Sequence, residues 1–376
     1  MPGILIVGAG FAGAVYARTL AEAGYRVHVI DRRDHVGGNA ADFVDANGVR
    51  LHRYGPHLFH TSLTPVFDWL RRFGAWVPYV HRVRAILPDG RFAPLPVNLD
   101  TINVVFGEDL RTEPEAAAFL RRVAASIAEP RNAGEFLRSR IGDTLTDLFF
   151  RPYTRKMWGM ELEEMDASVV RRLPIRFDRD DRYFPGERHQ ALPAEGYTAL
   201  FDAILGYPNI AVTLATAYVP GMERGYAFCF NSMAIDEFFD CSLGELPYRS
   251  LRFHSRTTTE WDAAPFSVRN YTDTGPFTRE AWWHCLPNHL RWETGRRTVT
   301  VEEPCDYRDN GNERYYPVKT ADGRYQALYQ AYHGLADRLP NMAFIGRCGT
   351  YQYLDMDQVI NQSLAGARRW LGGQGR

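Results

Sequence analysis

Residues 4–31 read I-L-I-V-G-A-G-F-A-G-A-V-Y-A-R-T-L-A-E-A-G-Y-R-V-H-V-I-D, and this stretch decides the fold. An apolar run suited to a buried strand leads into three glycines, then an apolar-periodic helical stretch, then a second strand ending at Asp31. The order is that of a βαβ unit. Gly8 permits the tight turn, Gly10 lets backbone N–H groups approach a pyrophosphate, and Gly13 lets helix and strand pack closely, with the helix N-terminus facing the phosphates. Asp31 follows the glycines by about twenty residues, where an acidic side chain accepts hydrogen bonds from an adenosine ribose. A glycine-rich turn in an ordinary sheet is the plainer alternative, but it would not call for strand, helix and acid together at these places.

Just beyond, Asp31-Arg32-Arg33-Asp34-His35-Val36 runs into Gly37-Gly38-Asn39. A glycine doublet after the ribose-binding acid resembles the FAD-binding two-dinucleotide flavoproteins and is unusual in NAD dehydrogenases. Paired glycines again let backbone approach a phosphate or flavin. The fold class expected is therefore α/β, a Rossmann-like FAD-binding domain with further domains attached.

Composition sets the bounds. At 376 residues the chain exceeds the roughly 250–300 at which a single core stops growing, so two or three domains are expected. Hydrophobic residues at 45% and charged residues at 24% describe a packed protein. With 44 basic against 45 acidic side chains there is no overall field for nucleic acid or an anionic membrane, so anion binding must be local. The cysteines (Cys229, Cys241, Cys285, Cys305, Cys348) are scattered and never form C-x-x-C, which fits a reducing cytoplasm and neither a disulfide framework nor a zinc site. No signal-peptide pattern opens the chain and no apolar run approaches the ~18 residues of a membrane span.

The rest of the chain divides by periodicity. Residues 116–127 and 132–150 interleave charged and apolar positions at helical spacing. Residues 210–218, 267–271 and 298–301 alternate β-branched or aromatic with polar residues, the sign of antiparallel strands. Residues 342–347 read as a strand and 357–370 as a helix that return to the first domain. The expected organisation is a discontinuous FAD-binding domain (1–77, 191–240, 338–376), a helical domain (100–175) with a mobile substrate loop near 165–180, and an antiparallel sheet domain (78–99, 176–190, 241–337).

Beyond Gly37-Gly38-Asn39, ordered motifs run almost end to end. They are H-R-Y-G-P-H-L-F-H-T (52–61), F-F-R-P-Y-T-R-K-M-W-G (149–159), R-R-L-P-I-R-F (171–177), Tyr183-Phe184, Tyr248-Arg249-Ser250-Leu251, Thr278-Arg279, Tyr315-Tyr316-Pro317-Val318, Gly346-Arg347 and Tyr353-Leu354-Asp355-Met356. Taken in this order, they make the chain resemble the bacterial UDP-galactopyranose mutases. From spacing alone, Phe149, Tyr153 and Met157 share one helical face and Phe150, Thr154 and Trp158 the next, which as readily describes a packing face. The resemblance implies instead one wall of a nucleotide-sugar pocket, with Tyr153 stacked on the base and Thr154 and Trp158 near sugar and flavin. A base–aromatic stack is worth about 1–3 kcal/mol.

The resemblance further implies that Arg172, on the mobile loop, and Arg279, on a fixed wall, clamp the substrate pyrophosphate. A guanidinium is permanently charged and forks onto phosphate oxygens. Either arginine could be a plain surface cation, as Arg171, Arg176 and Arg179 are expected to be. Tyr183, Tyr315 and Tyr353 would hydrogen-bond the phosphates, and Asn270 would contact the sugar. His60 would shape the flavin and sugar environment, and Asp355 would orient groups nearby. Gly8, Gly10, Phe11, Gly13, Asp31 and Arg32 would hold FAD together with Gly38, Asn39, His57, Arg347, Asp355 and Met356. His57 and His60 also stand three apart, but no third ligand is suitably spaced for a metal.

The family reaction interconverts UDP-galactopyranose and UDP-galactofuranose and requires reduced FAD. It proceeds through a covalent bond between flavin N5 and the sugar while UDP departs and returns. Partners implied are a nucleotide-diphosphate sugar, a reductant such as NAD(P)H or a reductase, and a second copy in a homodimer. Departures appear at the base. The family's uracil-contacting glutamine is replaced by Met157, which neither donates nor accepts strongly. Its E-H-K-H-like stretch becomes Ala281-Trp282-Trp283-His284, and a second tyrosine becomes Leu354. A GDP- or dTDP-linked galactose or fucose is thus as compatible as UDP-galactose. Rival readings are an FAD oxidoreductase of amine-oxidase or desaturase type, and a flavin-binding regulator.

Overall fold

The computed structural model describes residues 3–171, 174–259, 266–288 and 295–374. Gly3–Val7 is almost wholly buried and pairs in parallel with Arg26–Ile30 on one side and Phe228–Asn231 on the other. Ile210–Thr213 and Met342–Phe344 complete a five-stranded parallel sheet. An unbroken apolar run suits the centre of such a sheet because helices cover it. Phe11–Glu22 packs against both Gly196–Leu205 and Met356–Gln374. Antiparallel pairing expected over 210–218 is corrected: Ile210–Thr213 runs parallel to Arg26–Ile30. It is an edge strand exposed for most of its length, so it alternates in polarity as a half-solvated antiparallel strand does. Gly8, Ser232 and Gly346 follow the carboxyl ends of three adjacent strands, the place where open α/β sheets bind ligands.

A second, seven-stranded sheet runs in the order Tyr316–Pro317, Tyr248–Thr258, Arg297–Asp306, Arg279–Trp282, Val268–Tyr271, Val83–Ile86 and Phe92–Leu95. Its pairings are antiparallel except for Val268–Tyr271 on Val83–Ile86. Asn270 pairs with Arg279, and Arg279 with Glu302. Residues directly opposite one another share a face, so these three form a row across adjacent strands.

Leu99–Phe106, Glu113–Val123, Ala133–Leu145 and Arg151–Trp158 form a helical layer that packs on the seven-stranded sheet and shares an apolar core with it. Asn98, Thr112 and Asn132 cap the first three by accepting from backbone N–H groups three residues on. The continuous helix expected over 132–150 is corrected. Gly142 adopts φ 73°, where a Cβ would meet the Val123 carbonyl oxygen at 2.4 Å, and a π-helical turn over Thr146–Phe150 follows. That turn inserts an extra residue, so the stripes read from 3.6-residue spacing keep phase only within Arg151–Trp158. A small sheet of Phe59–Thr61, His189–Pro193 and Trp76–Pro78 carries His60.

Candidate functional site

A deep cavity opens at the carboxyl edge of the parallel sheet. Its lining includes Gly8, Gly10, Phe11, Asp31, Arg32, Gly38, Asn39, His57, Arg347 and Met356, all expected to touch a cofactor. A Cβ on Gly8 would fall 2.0 Å from Ser232 Oγ, and one on Gly10 would lie 3.5 Å from Gly38 Cα. The two glycine loops are thus packed backbone to backbone, joined by Gly37 N–H donating to the Ala9 carbonyl at 3.0 Å. Asp31 ties the same turn: its carboxylate accepts from Ala9 N–H at 2.7 Å and Arg33 N–H at 2.9 Å. Bare backbone, a helix N-terminus and a buried acid fit the pyrophosphate and ribose of a dinucleotide. Gly13 stands apart from the lining. A Cβ there would meet the Gly8 carbonyl at 1.9 Å, so its role is packing.

Cavity residues that motif reading missed include Arg33, Ser232, Glu237 and Arg314. Arg33 donates to Asn39 at 3.0 Å and pairs with Glu313, while Arg314 pairs with Glu237. Arg33 sits unassigned inside the run Asp31–Asn39, and no motif marks Ser232, Glu237 or Arg314, which come from two distant segments.

The row Asn270–Arg279–Glu302 stands close to the segment carrying His57: a Cβ on Gly55 would fall 2.6 Å from Glu302 Oε1. Arg279 Nε donates to Glu302 Oε2 at 2.6 Å, leaving the two terminal nitrogens of the fork. Glu302 is 2% exposed, and its other oxygen has no hydrogen-bond partner among the described residues. Burial lifts the Glu302 carboxyl above its ordinary range, against the pull of the guanidinium. Burial would depress Arg279, but Glu302 and the surrounding tyrosines more than reverse this, so it stays a cation. Burial pushes the Tyr153 hydroxyl up to about 12, opposed by Arg279. It also holds the His57 imidazole down to about 3, with Arg347 and Arg279 adding to the shift. His57 Nδ1 faces the Gly55 carbonyl at 2.8 Å. A neutral imidazole, a neutral phenol and the guanidinium groups of Arg279 and Arg347 therefore stand near one another.

The tyrosines divide. Tyr315 is 2% exposed and its hydroxyl donates to the Tyr54 carbonyl at 2.5 Å, which holds the segment carrying His57. Tyr316, present in a quoted motif but given no role there, stacks on Tyr353 with centroids 5.2 Å apart, and the Arg347 guanidinium lies 5.1 Å above the Tyr353 ring. Tyr183 packs by His81 with ring centroids 5.4 Å apart. His60 stacks on Phe184 at 3.5 Å, with Glu187 3.7 Å from its Nδ1. Phe149, Thr154, Met157 and Trp158 are buried, whereas Phe150, Tyr153 and Asn270 are half-buried. Asp355 stands at the start of Met356–Gln374, where its carbonyl accepts from Val359 N–H at 3.0 Å, and it does not line the cavity. Arg172 lies outside the described residues. Of the supposed surface cations, Arg176 is corrected: it is buried and donates to the Asp180 and Arg182 carbonyls at 2.6 and 2.7 Å. Arg171 is exposed and Arg179 pairs with Asp100.

The Glu302 carboxylate is expected to set the orientation of Arg279. In Glu302→Gln the amide oxygen still accepts from Nε but without charge assistance, so kcat/KM should fall about tenfold with the fold intact, as steady-state kinetics and thermal melting would show.

A guanidinium anchored on a buried carboxylate thus stands near a dinucleotide cradle. Known proteins narrow the class. The family described as UDP-galactopyranose mutase matches residues 148–353, and the NAD(P)-binding Rossmann-like domain family matches residues 6–73. A probable UDP-galactopyranose mutase of Klebsiella pneumoniae is 38% identical, the alignment covering 98% of this chain and 94% of that protein. The dTDP-fucopyranose mutase of Escherichia coli is 36% identical, covering 98% of each. A crystal structure of reduced UDP-galactopyranose mutase superposes with TM-score 0.76 at 18% identity over 99% of this chain and 94% of that one, a likeness of fold. The chain belongs to the UDP-galactopyranose mutase family and is an isomerase, a sugar mutase.

Proposed function

We propose that the chain interconverts the pyranose and furanose forms of a nucleotide-linked galactose or its 6-deoxy analogue, with FAD in the cavity beneath His57 and Arg347. The carrying observation is the row Asn270–Arg279–Glu302, which fixes a guanidinium near His57, itself part of the cradle lining. When bound in reduced form, the flavin supplies the nucleophile for the anomeric carbon. The protein does the rest. Arg279, with Arg172, neutralises the diphosphate as it leaves and keeps it for return. Tyr153 stacks on the base, Tyr183, Tyr316 and Tyr353 hydrogen-bond phosphate oxygens, and His57, being neutral, adds no competing charge. The buried walls exclude water that would otherwise capture the sugar. A cytoplasmic homodimer supplied by NAD(P)H or a reductase completes the reading.

For the base we propose thymine. Met157 offers an apolar, polarizable surface and no strong hydrogen bond, which suits the methyl group that distinguishes thymine from uracil. The E. coli relative that carries dTDP in its name is nearly as similar as the UDP-named one. The test is to incubate the dithionite-reduced holoenzyme with UDP-, dTDP- and GDP-galactose and look by chromatography for an isomer of equal mass. Isomerisation fastest with dTDP is expected. A UDP preference would overturn the base, while oxygen consumption without isomerisation would point to an amine-oxidase-type enzyme. Met157→Gln, which removes the apolar contact proposed for the thymine methyl while the two bases keep the same hydrogen-bonding edge, should shift kcat/KM toward UDP by about fourfold, the worth of one buried methyl group.

A further inference from the structure

We infer that Lys156 is a positioning residue that sets the width of the nucleotide pocket by latching the aromatic helix to the sheet strand facing it. The inference rests on reading that pocket as a nucleotide site.

Lys156 lies on Arg151–Trp158, three residues after Tyr153 and next to Met157. Its side chain is only 7% exposed. Nζ donates to the Tyr271 carbonyl at 3.0 Å and the Asp273 carbonyl at 2.9 Å, and stands 3.4 Å from Asp273 Oδ1. An ammonium has three N–H donors, and here each has an acceptor on the strand or the turn after it. None is left for a substrate phosphate, so the residue acts through the wall it holds. Tyr271 directly follows Asn270 on Val268–Tyr271. The bridge thus joins the two walls one residue away from the groups proposed to meet the substrate.

The same helix end is held a second time. Arg249 Nε donates to the Met157 carbonyl at 2.7 Å and Nη2 to the Lys156 carbonyl at 3.2 Å, where Gly159 turns the chain at φ 65°. Apolar contacts tolerate sliding, whereas directed hydrogen bonds weaken steeply with displacement. A latch of this kind keeps Tyr153 and Met157 on the helix at a constant distance from Asn270 and Arg279 on the sheet, and base discrimination depends on that distance.

The test measures UDP and dTDP binding to the oxidised holoenzyme by calorimetry, for the native protein, Lys156→Met, Lys156→Arg and Asp273→Ala. Methionine keeps length and removes all three donors. Expected is a loss of affinity of about tenfold for the preferred diphosphate and less than about threefold for the other, with recovery in Lys156→Arg. Asp273→Ala, which removes one acceptor from an exposed turn, should show the same pattern at about threefold, and it carries the test if Lys156→Met fails to fold. Equal weakening of both nucleotides, unchanged affinities, or no discrimination by the native protein would overturn the latch. If the native protein binds neither diphosphate, the nucleotide reading itself fails, a result distinct from any pattern among the variants.

Discussion

Replacing Arg279 with leucine is expected to lower turnover by about 10³-fold, the usual loss when a preorganised group that stabilises transition-state charge is removed. Flavin absorbance should persist, because Arg279 does not line the cofactor cavity. A second consequence is thermodynamic and separable. Glu302 would be left as a buried carboxyl with no partner among the described residues, since its other oxygen already lacks one there. Breaking a buried pair from one side costs about 3–5 kcal/mol, whereas replacing both members by apolar groups is often close to neutral. Arg279→Leu/Glu302→Leu should therefore regain much of the thermal midpoint and none of the turnover. Activity of Arg279→Leu within tenfold of the native enzyme would remove Arg279 from the mechanism proposed here.

The other large effect is expected at Gly13. Alanine there would place Cβ 1.9 Å from the Gly8 carbonyl oxygen and 2.9 Å from Ile6 Cγ2. Backbone cannot move aside as the tip of a side chain can, so the helix Phe11–Glu22 must lift from the strand Gly3–Val7. The cradle would open with it. Gly13→Ala should purify without flavin or fail to accumulate in soluble form, as the visible spectrum and size-exclusion profile would show. Gly334 is the matched control: it lies in the helix Arg324–Ala336 with nothing within 4 Å of its added Cβ. Alanine there should be neutral or stabilising by up to about 1 kcal/mol. Flavin retained at native stoichiometry in Gly13→Ala would contradict the close packing.

Residues adjacent in the chain were legible where one function is packed into one segment. The glycine turn, Asp31 and Gly37-Gly38 can be read because a βαβ unit encodes strand, turn, helix and acid within about forty residues. The polar pocket is different. Glu302 and Glu303 are identical in type and adjacent in sequence, yet Glu302 is buried on Arg279 while Glu303 meets His254 at 2.7 Å on the other face. Only the strand register separates them, since a one-residue slip would exchange the two faces. The π-helical turn at Thr146–Phe150 was likewise invisible, because its residues keep the apolar spacing of an ordinary helix until Gly142 and the packing against Val123 interrupt it.

By itself the sequence determined a dinucleotide-binding α/β chain, and its ordered motifs determined the family. Those properties depend on residue types at short, rigid spacings. Tertiary structure alone decided which acid faces Arg279, that Tyr315 supports the chain at Tyr54 while Tyr316 faces Tyr353, and that Lys156 ties helix to sheet. Each depends on pairing between segments distant in the chain, and pairing follows from the cooperative burial of whole faces, which no local pattern records.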